Sequence, residues 1–151
     1  MELLNCMNYL IRDLQKSDIP TLIEWLNQFN SGFDYPGKAN INTESATLFF
    51  SRFIDSASQF ALMAEDNKEK PIATLGFSCI PHPWTGKSVL YKAFWYSAKP
   101  GAGIELLRYV QRLAKKGAIE QVIVSSMTPN VNRLLEREGY KPVETNYILE
   151  T

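Results

Sequence analysis

The sequence predicts an α+β fold (mixed α/β), with a central, mostly antiparallel, twisted sheet flanked by helices. The chain has 151 residues, of which 45% are hydrophobic and 21% charged, so it can bury one core. We therefore expect residues 1–151 to form a single domain. Its middle part reads as three strands joined by short loops, which favours an antiparallel meander. Amphipathic helical patterns precede and follow these strands.

The first two predicted elements are a strand and a helix. Residues 8–14, NYLIRDL, alternate between polar and apolar side chains, which is typical of a half-buried strand. Ser17 then offers an N-cap for a helix over 18–29, and Pro20 falls in its first turn, where the missing N–H costs little. The apolar residues of this helix share one face: Ile19, Leu22, Ile23, Leu26 and Phe29.

A loop and a second helix follow. Residues 30–42 contain Gly32, Pro36 and Gly37, and we predict a loop there. Thr43 is the predicted N-cap of the second helix. The apolar side of that helix, which we interpret as core, consists of Phe49, Phe50, Phe53 and Ile54.

The meander occupies the middle of the chain. The predicted strands are 58–66, 71–80 and 88–98, and the loops 67–70 and 81–87 join them. The rest of the chain returns to alternating helices and strands, namely a helix that ends at Gly117, a strand over 119–127, a helix over 130–138 closed by Gly139, and a final strand over 140–150. The predicted order is β-α-α-β-β-β-α-β-α-β.

A glycine turn, AKPGAGIELL at 98–107, joins the third strand of the meander to the next helix. Glycine at a helix start lets backbone N–H groups face outward without a Cβ, and the helix dipole adds partial positive charge there. Such a turn can bind phosphate, although a plain tight turn is an equal alternative. This turn lacks the third glycine of the dinucleotide fingerprint, and no Gly-Lys-Ser/Thr follows it as in a nucleotide P-loop.

Composition excludes several classes of function. The 16 basic residues balance the 16 acidic ones, so we expect neither nucleic acid nor membrane as a partner. Cys6 and Cys79 lack metal-site spacing and are interpreted as reduced thiols, with no metal bound. No apolar run reaches the roughly 18 residues of a membrane span, and the N-terminus lacks the basic lead-in of a secretion signal. We therefore expect a soluble, cytoplasmic protein.

The residues resemble those of the GCN5-related N-acetyltransferases. The resemblance rests on the element order, on the Gly101-Ala102-Gly103 turn before a helix with LL, and on LLEREGYKP at 134–142. The loop PHPWTGK followed by FWYSAKPG is similar to small acetyltransferases of phages and their hosts, which would place the protein in a host cytoplasm. The resemblance implies acetyl-CoA as co-substrate and an amine as acceptor.

The resemblance also implies a coenzyme site. Strands 88–98 and 119–127 are expected to splay apart, with the pantetheine arm between them and the pyrophosphate at the glycine turn. The residues it assigns to the coenzyme are Trp95, Tyr96, Ala98, Lys99, Gly101, Ala102, Gly103, Ile104, Asn130 and Asn132.

Two positions depart from the family. Ala98 stands where members usually carry the Arg or Gln that begins the phosphate loop, and Lys99 beside it either reaches the phosphates or stays solvated. Leu135 stands where many members carry the tyrosine that protonates the departing CoA thiolate. These departures favour a second hypothesis, in which the fold is kept as a binding or regulatory module.

Candidate catalytic residues are His82, Asp34, Tyr35 and Tyr91. His82 is the single histidine, and its ordinary pKa suits proton transfer near neutrality. His82 can equally be a solvent-facing loop residue, and Asp34 a turn former. The leading interpretation is an N-acetyltransferase in which the acceptor amine attacks the thioester directly. The sequence leaves three questions open: which amine is the acceptor, whether the acyl group is one other than acetyl, and whether the protein forms a homodimer.

Overall fold

The computed structural model describes residues 5–6 and 9–151. Within them, six strands form one sheet in chain order, and every neighbouring pair is antiparallel except the last, which is parallel. The strands are β1 Asn5–Cys6, β2 Tyr9–Asp13, β3 Gln59–Glu65, β4 Pro71–Pro81, β5 Ser88–Ser97 and β6 Ile119–Ile123. The helices are α1 Ile19–Gly32, α2 Thr43–Asp55, α3 Ala102–Lys116 and α4 Pro129–Arg137. The predicted mixed α/β fold with a mostly antiparallel sheet is confirmed.

Helices cover both faces of the sheet. Alternation along β3 places Leu62 in the apolar cluster under α3 and α4, and its neighbour Met63 in the cluster under α1 and α2. Both side chains are almost fully buried. Phe49 on α2, predicted as core, is instead 48% exposed, because only Phe50 and Phe53 of that helix turn fully toward the sheet.

Two predicted helix caps are wrong by one residue. α1 follows a 3-10 turn over Lys16–Asp18, and its N-cap is Asp18 rather than Ser17. The N-cap of α2 is Asn42 rather than Thr43, because the Asn42 side chain accepts a hydrogen bond from Ser45 N at 2.8 Å. Thr43 is the first residue of the helix proper.

The prediction of a final strand over 140–150 is wrong, since the structure has no regular element there. Strand pairing needs a neighbouring edge, and this segment instead crosses to the loop between α1 and α2. A Cβ built on Gly37 in that loop would lie 2.7 Å from Ile148 Cδ1. Val143, Tyr147 and Leu149 are more than four-fifths exposed. β6 likewise ends at Ile123, before the predicted residue 127.

Two sequence expectations concern thiols and membranes. Cys79 carries a free thiol, whereas the side chain of Cys6 lies outside the described residues. Across 5–6 and 9–151, each helix is too short or too polar to cross a bilayer.

Candidate functional site

A gap opens between β5 and β6. Their parallel pairing begins at Ser88 with Ile119 and ends at Tyr91 with Ile123, whereas β5 continues to Ser97. β5 is paired with β4 along its whole length, but from Lys92 onward it has no register pair with β6. The pairing of β5 with β6 therefore ends six residues before the end of β5, and the gap lies beyond that point, toward the start of α3.

A β-bulge lies beside the base of this gap. The register of β4 against β5 passes from Gly76 opposite Phe94 to Phe77 opposite Lys92, so Ala93 is the extra residue. Gly76 allows the bulge, because a Cβ there would lie 2.4 Å from the ring of Phe94. A bulge leaves backbone groups of the extra residue outside the ladder and so supplies hydrogen-bonding groups next to the gap.

The glycine turn stands at the end of β5. Gly101 is the N-cap of α3 and has φ 85°, a left-handed conformation that favours glycine, and its missing Cβ faces open space. The Ser97 hydroxyl accepts a hydrogen bond from Gly103 N at 3.0 Å and donates to Lys99 O at 2.6 Å. Ala102 N donates to Lys99 O at 3.2 Å. The open side of Gly101 is therefore where an anion can approach the positive end of the α3 dipole.

Gly103 is required for a different reason. A Cβ at this position would lie 2.9 Å from Ser97 Cβ and 3.0 Å from Trp95 Nε1. The Trp95 indole N–H donates to the carbonyl oxygen of Gly103 at 3.0 Å. Gly103 thus lets α3 pack closely on the end of β5, whereas Gly101 leaves room for a ligand.

The other residues assigned to the coenzyme lie around this turn in different surroundings. Tyr96 stacks on Trp25 of α1 with ring centroids 5.2 Å apart, and its hydroxyl donates to Gln28 Oε1. The Lys99 ammonium lies 5.4 Å from the centre of the Tyr9 ring, on the side of β2. Ala98, exposed, donates its N–H to Ile72 O.

Asn130 and Asn132 lie in the first turns of α4, on the far side of the gap. Both side chains are exposed. The Asn130 side chain accepts a hydrogen bond from Arg133, and Asn132 N donates to Thr128 O. Thr128 caps this helix by accepting from Val131 N.

The candidate catalytic residues do not come together. His82 lies in the loop between β4 and β5, where its Nδ1 accepts from Trp84 N at 3.2 Å. β5 has 10 residues, so at about 3.3 Å each His82 is about 30 Å from the glycine turn. Asp34 is exposed in the loop after α1, and Tyr35 joins a ring cluster there while donating to Asn30 Oδ1. Of the four, Tyr91 is the one at the base of the gap.

Two residues of the gap were missed by the sequence analysis. Ser97 organises the glycine turn, and its signal was a hydroxyl residue just before that turn. Lys92 lies where the strands separate, and its Nζ donates to Ser125 O at 2.7 Å. Burial lowers the pKa of Lys92. The sequence feature that could have identified Lys92 is its position two residues after Leu90, which puts a charged side chain on a strand face that is otherwise buried in the core.

α3 and α4 are joined by an ion-pair network at the back of the site. The Arg108 guanidinium on α3 contacts Glu105 at 2.9 Å and Glu138, just after α4, at 2.7 Å. Across the described part of the chain, no three histidine, cysteine or carboxylate side chains gather in a way that would hold a metal ion.

Solved structures show the same fold. A "possible acetyltransferase" from Clostridium difficile 630 superposes with a TM-score of 0.73 at 16% identity, covering 99% of each chain. A "predicted acetyltransferase" with acetyl-CoA from Clostridium acetobutylicum gives 0.72 at 20% identity, covering 94% of this chain and 96% of that one. A transcriptional regulator from Bacillus halodurans C-125 gives 0.77 at 14% identity, covering 95% and 99%.

Sequence comparisons find no match. No protein-family model matches the chain, and no curated protein is similar to it in sequence. The structural likeness over nearly the whole chain shows that it has the fold of the GCN5-related acetyltransferases, as the resemblance implied.

Proposed function

We propose that this protein is an acetyl-CoA-dependent N-acetyltransferase that acts on an amine acceptor in the cytoplasm. The observation that carries the proposal is the early end of the β5/β6 pairing, at Tyr91, together with the left-handed Gly101 at the start of α3. In this arrangement the pyrophosphate lies at the open side of Gly101, and the pantetheine arm lies along β5 from Ser97 toward Lys92. The "predicted acetyltransferase" of the same fold that was solved with acetyl-CoA supports this assignment.

The chemistry needs little beyond alignment. The acceptor nitrogen attacks the thioester carbonyl carbon, and backbone N–H groups near the Ala93 bulge stabilise the negative charge that develops on the oxygen. Tyr91 lies at the base of the gap, whereas His82 lies in the loop before β5, so Tyr91 is the nearer of these two candidates to the gap along the chain. The acceptor enters from the open edge of the sheet. The narrower likeness to phage-type enzymes rests on loop residues alone and stays a prediction.

One observation favours a second function. The Bacillus halodurans protein that shares this fold is described as a transcriptional regulator. Ala98 supplies no charged donor to the glycine turn, and Leu135 is buried in the core and carries no proton to donate. The alternative is therefore a regulatory module in which the coenzyme site has degenerated.

Ligand-induced stabilisation separates the two functions. Melting curves should be measured with acetyl-CoA, CoA and ATP, because a ligand at about 100 times its Kd stabilises the native state by about 2.7 kcal/mol. ATP shares the nucleotide phosphates but lacks the pantetheine arm and thioester. We expect acetyl-CoA and CoA to raise the midpoint more than ATP does. No shift with any of them would favour the regulatory module.

A matched pair of variants locates the pyrophosphate. Asn and Asp have the same shape and both tolerate the left-handed conformation of Gly101, but only Asp adds negative charge at the helix start. We expect Gly101→Asp to bind acetyl-CoA at least about tenfold more weakly than Gly101→Asn, as measured by calorimetry. Equal affinities of the two variants would show that the phosphates bind elsewhere.

A further inference from the structure

Lys92 has an unusual place in the fold. It follows Tyr91, the last residue of β5 that pairs with β6, and it precedes the Ala93 bulge. Its side chain lies on the same strand face as Leu90, toward α3 and α4, and it reaches across the gap to Ser125 O in the segment between β6 and α4. An amine nitrogen therefore lies at the point where the two strands separate.

The surroundings leave this amine able to act as an acid. Its ammonium form has three protons, and one hydrogen bond, to Ser125 O, is found for it among the described residues. Burial alone lowers the pKa of Lys92. Ionisable side chains on the elements around it include Tyr91 on β5, Cys79 on β4, Glu120 on β6, Tyr109 on α3 and Arg133 on α4, and none of them contributes to this shift.

Such a group accelerates thioester cleavage. The departing thiolate is more stable once protonated, and a thiol is a stronger acid than an ordinary lysine ammonium, so a lysine donates to it more readily when its pKa falls. Leu135 occupies the position of the family's usual acid and is buried in the core. Tyr91 also lies at the base of the gap, but strand alternation directs its side chain to the opposite face, toward α1 and α2.

We propose that Lys92 is the catalytic acid that protonates the leaving thiolate, an inference that rests on the proposed acetyl transfer. The acceptor nitrogen forms a bond to the carbonyl carbon, and the carbon–sulfur bond breaks with its electron pair on sulfur. The sulfur takes a proton from the Lys92 ammonium and becomes the thiol of CoA. The proton released by the acceptor nitrogen returns to the neutral Lys92 amine, so protons balance over one turnover.

Two variants separate proton donation from a structural bridge. Lys92→Arg keeps the positive charge and a hydrogen-bond donor for Ser125 O, but a guanidinium does not give up its proton near neutrality. Lys92→Met keeps an unbranched stem without charge. We expect both variants to lower kcat by roughly 10²-fold while the affinity for acetyl-CoA changes less than about threefold. Lys87→Met, the matched control at an exposed lysine just before β5, should change kcat less than about threefold.

A binding measurement tests the same contact without turnover. An ammonium beside the sulfur favours the thiolate of bound CoA, so CoA binding should release a proton near pH 8, whereas acetyl-CoA, which has no free thiol, should release none. Calorimetry in buffers of different ionisation enthalpy counts this proton. The release should persist in Lys92→Arg, whose cation is fixed, and disappear in Lys92→Met.

The outcomes are distinguishable. Normal kcat in Lys92→Arg, or equal proton release in the unmodified protein and Lys92→Met, would overturn the acid role while leaving acetyl transfer standing. A tenfold or larger loss of kcat in Tyr91→Phe with normal Lys92 variants would assign the acid to Tyr91 instead. If the unmodified protein binds neither CoA nor acetyl-CoA, the proposed function fails, and this inference fails with it.

Discussion

Replacing Arg12 tests how much a buried ion-pair network contributes to the free energy of unfolding. The guanidinium on β2 makes two hydrogen bonds to the Asp18 carboxylate, each 2.8 Å long, and its Nε contacts Glu65 of β3 at 2.5 Å. The side chains are 20%, 8% and 11% exposed, respectively. Arg12→Met keeps the length of the stem but leaves two poorly hydrated carboxylates without their cation. Because breaking a buried pair in this way costs about 3–5 kcal/mol, we expect a loss of that size in the free energy of unfolding at pH 7.

The loss should depend on pH. Burial opposes ionisation of Asp18, but hydrogen bonds from Arg12 and Gln15 N more than offset it, so the pKa of Asp18 is below its usual range. A group with a lowered native pKa stabilises the fold above its unfolded pKa, and that contribution is lost as pH falls below it. Without Arg12, burial should instead raise the pKa of Asp18. The deficit of Arg12→Met should therefore shrink as pH falls from 7 toward the unfolded pKa of about 3.9.

Urea unfolding at pH 7, 5.5 and 4 measures this effect. Lys16→Met is the matched control, because Lys16 forms an exposed pair with Asp55 at 2.7 Å and its removal should cost less than about 1 kcal/mol at every pH. A loss below about 1 kcal/mol for Arg12→Met, or a loss independent of pH, would refute the reasoning.

Three further predictions concern the site. Gly103→Ala should lower the free energy of unfolding by about 1–3 kcal/mol in urea titrations, because its Cβ meets Ser97 and Trp95; unchanged stability would mean that both side chains shift freely. Ala98→Arg should raise CoA affinity roughly ten- to a hundredfold in calorimetry, with a smaller gain at higher salt, and no gain would indicate a degenerate phosphate site. His82→Ala should lower turnover by less than about tenfold, because His82 lies at the far end of β5; a larger loss with intact CoA binding would contradict that placement.

Local patterns predicted most of the elements. The strands of the meander and their loops were recognisable because alternation and turn residues act over a few neighbours, and β4 and β5 lie within about a residue of their predicted bounds. The helix N-caps were less predictable, since Ser17 and Asp18 both suit the position. Asp18 became the cap residue while Arg12, six residues earlier, engaged its carboxylate.

Contacts between residues far apart in the chain could not be predicted from the sequence. Lys92 and Ser125 are far apart in the chain, and nothing local indicates that the lysine crosses the gap. The segment 140–150 has strand-like composition, but a strand also requires a partner edge, which no local pattern reports. Four candidate catalytic residues were chosen by chemical type, and chemical type cannot place His82 at the end of the sheet opposite the glycine turn.

The parallel contact between β5 and β6 has a consequence for local unfolding. It consists of four register pairs, against nine between β4 and β5. A short seam of this kind lets β6 and α4 open as a unit of lower stability than the central strands. Amide hydrogens of Val122 and Ile123 should therefore exchange with deuterium faster than those of Leu75 and Phe77. A ligand that bridges the two strands would slow that exchange across the whole β6–α4 unit and couple its order to occupancy of the gap.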